Sequence, residues 1–416
     1  MKRKVISCVL AGASAFSLVC INGGNLVAKA DGDVTEIRFT EWDGGDTLAV
    51  YEEIAEKFNE SHPDIHVTVM NVPDEYDTKI TAMIAGNDIP EVCMMNSDTL
   101  LFPLAEQGIV ANLQEYIDKD ESFDTECVGD QFKYMLNEDY MAGYGIGSEN
   151  ICMFYNPSLF EQYGVEEPPA KYADAWDWDT FVKNAQQLTI DKNGKNALDP
   201  DFDPENIDVY GVNISKWWAG YMPFLFSEGD YLTEDGTSIG YATDEGKDVL
   251  QKLADLIYVY HVAPTPTASE TMPGLSEALA TNKVAMSFDG QWSNAGLMSD
   301  GVEYNVAALP RMGETPATVA TYGAITLMNS EKTDAAFEFV KYIMTEVEPL
   351  FKSGLWLPTN MKEYNDDYIK TIITENHPAN YYDSIVTPMM DGTARTPITA
   401  YVKNFNKIND VISPAL

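Results

Sequence analysis

The sequence between residues 34 and 95 alternates strand and helix patterns, and this alternation restricts the fold more than any other feature. Val34 to Thr40 alternates apolar and polar side chains, as a half-buried strand does. A helical apolar repeat follows, and His66 to Met70 predicts a second strand, with a further helix over 76–85 and a further strand over 92–95. A βαβ unit requires parallel strands and a right-handed crossover. The sequence therefore predicts an α/β fold.

The composition limits the partners of the chain. Its 416 residues include 66 acidic and 26 basic residues, a net charge of −40, and 45% of them are hydrophobic. This apolar content can form a large core, and the length suits two or three domains or the two lobes of one unit. The acidity excludes nucleic acid, because phosphates need a surface rich in lysine and arginine, and it disfavours an anionic membrane surface. The remaining partners are neutral or cationic, unless the charge serves only solubility.

The first thirty residues have the three parts of a secretory signal peptide. A basic start at Lys2 to Lys4 precedes an apolar run from Val5 to Ile21, and Ala28 to Ala30 has the small-residue pattern of a cleavage site. We predict a signal peptide over residues 1–30, cleaved after Ala30, and an exported protein. The alternative is lipid attachment at Cys20, whose preceding residues match that pattern poorly. No later charge-free stretch reaches the ~18 residues of a membrane helix.

Three cysteines follow residue 30: Cys93, Cys127 and Cys152. An odd number cannot form a disulfide framework. Because Cys93 and Cys152 lie within apolar runs, we predict them to be buried free thiols.

The common catalytic and metal-binding motifs are missing from the sequence. The four histidines form no HExxH-type motif, and there is neither a GxSxG elbow nor a Walker A loop. We therefore predict a protein that is not an enzyme and that holds no metal or cofactor. Asp191 to Asp203 has a weak likeness to a calcium loop, but its glycine stands at the fourth position instead of the sixth, which favours a solvated turn.

The positions of the tryptophans indicate a binding site. Trp42 and Trp292 follow predicted strands and have acidic neighbours, Asp43 and Asp289. A flat ring can stack on the C–H face of a pyranose while carboxylates accept hydrogen bonds from its hydroxyl groups. In open α/β sheets, ligands bind at the carboxyl ends of the strands. This pattern predicts carbohydrate contact, although core packing is the usual role of a single tryptophan.

Five segments in this order resemble the extracellular solute-binding proteins of ABC importers, specifically the sugar-binding group that includes maltose-binding protein. The segments span nearly the whole chain after residue 30 and are residues 51–63, 85–96, 153–164 with 178–181, 283–292, and 307–310 with 335–358. Each motif is weak singly, and their common order carries the resemblance.

The resemblance implies a two-lobed, periplasmic-binding-protein-like fold with hinge strands and a ligand cleft between the lobes. Lobe I would comprise residues 31–145 and 303–352, and lobe II would comprise residues 146–302 and 353–416. The family normally continues into another helix at the C-terminus, so the chain would be either a fragment or a protein with a short second lobe. The two lobes would close on the ligand, because closure adds contacts that the open state lacks.

The resemblance also implies ligand-binding positions, of which Trp292 matches the family motif most closely. The full predicted set is Trp42, Asp43, Asn96, Asp98, Trp217, Trp218, Asp289, Trp292, Tyr322 and Trp356. Arg395 could clamp an acidic sugar group, but a surface arginine is favoured there.

The function implied is the capture of a sugar or oligosaccharide outside the cytoplasm and its delivery to the membrane permease of an ABC transporter. The protein would act as a monomer. Two alternatives stay open: a polyamine-binding protein of the same fold, since carboxylates and aromatic rings also suit a linear cation, and a secreted carbohydrate hydrolase, which needs two carboxylates at a fixed separation.

Overall fold

The computed structural model describes residues 34–95, 100–214, 217–229, 240–346, 348–352, 356–398, 402 and 405–412. The predicted signal peptide, Cys20, Asn96 and Asp98 lie outside these residues.

The described residues form eleven strands and sixteen α-helices, with short 3-10 and π turns between them. The strands are β1 Thr35–Glu41, β2 Ile65–Asn71, β3 Val92–Met95, β4 Lys133–Asn137, β5 Tyr140–Tyr155, β6 Ile190–Asp191, β7 Ile207–Ile214, β8 Val284–Gly290, β9 Asn305–Ala307, β10 Thr318–Leu327 and β11 Ala394–Arg395. The helices are α1 Gly45–Ser61, α2 Tyr76–Ala85, α3 Phe102–Glu106, α4 Leu113–Lys119, α5 Pro157–Tyr163, α6 Trp178–Leu188, α7 Trp218–Glu228, α8 Asp244–Tyr258, α9 Pro266–Ser269, α10 Leu275–Ala280, α11 Ser293–Ser299, α12 Thr333–Ile343, α13 Glu348–Lys352, α14 Asp366–Ile372, α15 Thr387–Asp391 and α16 Phe405–Ile412.

The predicted βαβ pattern at the start of the chain is confirmed. Strand β1 lies between β2 and β3 and pairs with both in parallel. Helix α1 packs one apolar stripe against the sheet, with Tyr51, Ile54 and Phe58 at most 1% exposed. Burial of such side chains from water is the main force that holds the helix to the sheet.

Strand β5 connects the two halves of the molecule. The strand order is β2-β1-β3-β10-β5-β8-β7-β6, with β4 and β9 also paired to β5 and β11 paired to β10. Residues 144–150 of β5 pair antiparallel with β10, whereas residues 151–155 pair antiparallel with β8 and, in part, with β9. One strand of 16 residues therefore belongs to both halves of the sheet.

Two large hydrophobic cores flank this strand. We call them core I, built around β1, α1, α12 and the first half of β5, and core II, built around α6, α7, β8 and the second half of β5. The predicted lobe boundaries stay a prediction, but Ala307 and Leu309, which were assigned to lobe I, pack in core II. The change of core therefore falls within β10, whose Val319 packs in core II and whose Ile325 and Leu327 pack in core I.

The cysteines and the Asp191 loop have structural roles. All three cysteines in the described residues are buried and free, as predicted for Cys93 and Cys152. Asp191 is 1% exposed, and its carboxylate accepts hydrogen bonds from the amides of Asn193, Lys195 and Asp203 at 2.8–2.9 Å. The loop is thus organised by backbone amides, and the described part of the chain has no group of three or more His, Cys, Asp or Glu arranged to hold a metal.

Removal of the Tyr144 hydroxyl should destabilise the fold. This buried hydroxyl on β5 donates to the carbonyl of Thr359 at 2.9 Å and accepts from the amide of Gly129 at 3.1 Å. We expect Tyr144→Phe to lower the free energy of unfolding by about 1–3 kcal/mol, because both backbone groups lose their partner. Chemical denaturation measures the change. Tyr258→Phe, at a tyrosine that is 58% exposed, is the control; equal stabilities of the two variants would contradict the prediction.

Candidate functional site

The turn after β1 brings Trp42 and Asp43 towards the junction of the two cores. Glu41 Oε2 accepts the Asp43 amide at 2.6 Å, and Glu41 Oε1 accepts Asn71 Nδ2 at 2.6 Å. Asn71 also donates to the carbonyl of Asp43. Trp42 is half-buried and lies edge-on to Tyr76, with ring centroids 5.3 Å apart. These bonds hold both predicted site residues in a defined position.

The carboxyl groups of this turn have raised pKa values. Burial raises the pKa of Glu41 to about 7, although the bonds from Asn71 and the Asp43 amide oppose this effect. Burial likewise raises the pKa of Asp43 to about 6, while the nearby Tyr51 hydroxyl lowers it. Desolvation penalises the charged form of a carboxyl group, which explains the direction of both shifts.

Two more carboxyl groups approach from β5 and β8. Glu149 lies opposite Thr321 of β10, whose hydroxyl donates to Glu149 Oε1 at 3.0 Å. Burial raises the pKa of Glu149 well above its usual range, and the charges of Asp43 and Asp289 add to this rise, while hydrogen bonds from Thr321 and Trp356 oppose it. Asp289 accepts the Gly290 amide at 2.8 Å and the Ser293 hydroxyl at 3.0 Å, and burial raises its pKa.

Trp356 lies beneath this group of acids, in a space that two glycines leave open. An added Cβ at Gly147 would lie 2.1 Å from the indole ring, and one at Gly323 would lie 3.1 Å from it. Reciprocal backbone bonds between Ser148 and Leu357, at 2.7 and 2.9 Å, fix the neighbouring backbone. Trp356 is 3% exposed and lies edge-on to Tyr51. The ring is therefore buried in this structure, and its contact with a ligand stays a prediction.

Trp292 connects the two cores. Its ring covers Gly290, where a Cβ would lie 2.0 Å away, and it packs against both core I and core II. The ring of Trp217 is 5.5 Å from that of Trp292 and is 39% exposed. Trp218 is only 4% exposed and lies edge-on to Phe405 in core II. The exposed member of the Trp217–Trp218 pair is therefore Trp217, and Trp218 is a core residue in this structure.

The last two residues singled out from the sequence have different surroundings. Tyr322 is half-buried on β10 beside a β-bulge and packs edge-on against Phe132 at 5.2 Å, on the core I side. Arg395 lies at the C-terminal end of α7, where its guanidinium covers the ring of Phe226 at 4.5 Å and donates to the carbonyl of Gly229 at 3.4 Å. The position at a helix C-terminus gives this arginine a structural role.

The structure thus collects five side chains from separate elements, which we call the junction cluster: Asp43, Glu149, Asp289, Trp217 and Trp292. Sequence reasoning missed Glu149, and it also missed Glu41 and Tyr51, which support Asp43. A signal for Glu149 was present, since it is the single charged residue in a mostly apolar run over 140–155. A buried charge within a strand marks either an ion pair or a functional site.

Two α/β cores that share long strands, with acids and tryptophans at their junction, define a two-lobed ligand-binding protein. The chain belongs to the family of bacterial extracellular solute-binding proteins, whose sequence profile matches residues 42–347. A protein of Brucella abortus named as a binding protein is 23% identical over 385 residues, which cover 88% of this chain and 84% of that relative.

Solved structures confirm the fold class. An ABC substrate-binding protein from Listeria monocytogenes, in complex with cycloalternan, has a TM-score of 0.77, 23% identity and 92% coverage of both chains. The maltose/maltodextrin-binding domain from Bdellovibrio bacteriovorus, bound to maltotriose, has a TM-score of 0.70 and 21% identity, with 91% of this chain and 92% of that one covered. The predicted two-lobed α/β fold is therefore correct.

The family is one of solute-binding proteins. The family thus supports a binding role over the hydrolase alternative. None of the helices in the described residues is long and apolar enough to cross a membrane.

A methyl group at residue 147 should disturb the floor of the site. We expect Gly147→Ala to displace the Trp356 ring, because the new Cβ would lie 2.1 Å from its Cε3 atom, and to lower the free energy of unfolding by about 1–3 kcal/mol, as overpacking does. Thermal unfolding and the intrinsic tryptophan spectrum measure both effects. The matched control is Gly296→Ala in α11, where no atom lies within 4 Å of the added Cβ. A Gly147→Ala protein as stable as this control would contradict the packing described.

Proposed function

We propose that this chain is the extracytoplasmic substrate-binding subunit of an ABC importer and captures a sugar or oligosaccharide at the junction cluster. The observation that carries the proposal is the pairing of Trp292 with the half-exposed Trp217 beside Asp289, at the place where both cores meet. Flat rings suit the C–H faces of sugars, and buried carboxyl groups suit their hydroxyl groups.

The related structures support a carbohydrate as the class of ligand. The Listeria protein is in complex with cycloalternan and the Bdellovibrio domain is bound to maltotriose, and both share the fold over more than nine-tenths of this chain. Fold alone does not determine a ligand, so the proposal depends on the tryptophans and acids of this chain.

The ligand is held by closure of the two lobes. Asp43 follows β1 of core I, Asp289 ends β8 of core II, and Glu149 lies on the shared strand β5. A ligand that touches all three gains contacts only when the lobes are together, and this differential affinity drives closure. The proposed lobes are those predicted above, with the second change of lobe within β10. Trp42, Tyr322 and Trp356 would line or support the site, as would Asn96 and Asp98.

The closed form is recognised by the permease subunits in the membrane. The protein is exported by the signal peptide over residues 1–30 and acts as a monomer outside the cytoplasm, either released after cleavage or anchored through Cys20. The family name supports the extracellular location.

A second candidate ligand is a polyamine. The convergence of Asp43, Glu149 and Asp289 favours it, because carboxylates next to tryptophan rings also bind linear cations. The same site would then bind the positively charged amines of the ligand instead of the hydroxyl groups of a sugar.

Titration with both ligand classes separates the two candidates. We expect the protein lacking residues 1–30 to bind at least one of maltotriose, maltoheptaose and cycloalternan with saturable quenching of tryptophan fluorescence, since two rings of the site are tryptophans. Spermidine and putrescine should cause no saturable change. A response to the polyamines alone would establish the second candidate, and the release of reducing ends from a saccharide would contradict a purely binding function.

Trp292 should be an anchor of the ligand. We expect Trp292→Ala to weaken saccharide binding by about 2 kcal/mol or more, as removal of a central aromatic anchor does. Isothermal titration measures the affinity, and thermal unfolding checks that the variant is folded. The matched control is Trp176→Ala, which removes an equally large, half-buried side chain that packs on Phe160 and core II. If both variants bind as tightly as the unmodified protein, Trp292 is not part of the site.

A further inference from the structure

The Glu149 carboxyl group has an incomplete set of hydrogen bonds. Its Oε1 atom accepts from Thr321, whereas its Oε2 atom is buried and has no partner. An ionised carboxylate in such a position loses its hydration without full compensation, which disfavours the charged form.

The groups around Glu149 provide no positive charge. Asp43 approaches from the turn after β1, Asp289 from β8 and Tyr51 from α1, while the polar side chains of Thr321 and Trp356 complete the surroundings. Glu41 lies next to Asp43 and Tyr51. Within the described residues, the groups that most affect the ionisation of these four carboxyl groups include no lysine, arginine or histidine. Repulsion between neighbouring carboxylates and their burial both favour a bound proton.

This arrangement depends on the relative position of the lobes. Asp43 follows β1 of core I and Asp289 lies on β8 of core II, and both charges act on a residue of the strand that joins the two cores. Separation of the lobes would move these two carboxylates away from Glu149 and admit water to it. Closure therefore buries Glu149 again and brings the two carboxylates back to it, and both effects favour the protonated form of Glu149.

We propose that closure of the cleft around its ligand binds one proton to Glu149 Oε2, so that the affinity for the ligand falls as the pH rises. This inference rests on the proposed function of the junction cluster. The proton comes from the solvent and leaves again when the lobes open. The pKa of Glu149 is raised by closure, so the closed form holds more protons than the open form. The protein then has its full affinity for the ligand at a pH below the pKa of Glu149 in the open form. This affinity decreases as the pH rises through the pKa of Glu149 in the closed form.

The experiment measures the affinity and the proton uptake together. With the saccharide of the above panel that binds most tightly, we expect the dissociation constant to rise with pH between 5 and 8.5, by at most tenfold per unit for one proton. Calorimetric titrations in phosphate and in Tris at one pH should differ in enthalpy, because the buffer supplies the proton. Glu149→Gln should abolish both effects, since an amide does not titrate.

The control is a second carboxyl group with a raised pKa outside the cluster. Burial raises the pKa of Glu363, which lies beside Tyr368, and Glu363→Gln should retain the pH dependence of the unmodified protein. An affinity that is independent of pH, or a pH dependence that persists in Glu149→Gln, would overturn this inference and leave the proposed function intact. If no saccharide of the panel binds at any pH, the proposed function fails and this inference fails with it.

Discussion

The pairing of strand β5 with both halves of the sheet is the constraint on which the rest of the structure depends. Its 16 residues begin in core I, paired with β10, and end in core II, paired with β8. A backbone that is hydrogen-bonded on both sides along such a length cannot shift without breaking many bonds. It therefore fixes the position of Glu149, and it places the ends of β1 and β8 near one another.

Glycines allow the aromatic rings of the site to lie directly on the backbone of β5 and of its neighbour β8. The Trp356 ring occupies space that a Cβ at Gly147 would take, and the Trp292 ring covers Gly290 in the same way. Close contact between an indole ring and a bare backbone gives both rings one position. Rigid rings lose little entropy when a ligand binds, which is the physical advantage of such preorganisation.

The net charge of −40 has a local counterpart in the junction cluster. Most of the acids are solvated surface groups, but Asp43, Glu149 and Asp289 are enclosed, and burial raises the pKa of each of them. Their electrostatic energy is large because water no longer screens them. Hydrogen-bond donors of a ligand, or a proton, must compensate for the lost hydration. Overall charge excluded partners such as nucleic acid, whereas these few buried carboxyl groups determine what the site can bind.

The sequence by itself determined the α/β class, the βαβ order of β1 to β3, and the family, because periodicity and motif order are local properties of the chain. It could not decide between Trp217 and Trp218, since adjacent residues share every sequence signal; only the packing of Trp218 against Phe405 assigned one to the core. Glu149 was equally hidden in an apolar strand. Its role depends on Asp43 and Asp289, which are more than 100 residues away on either side, and only tertiary structure brings such distant carboxyl groups together.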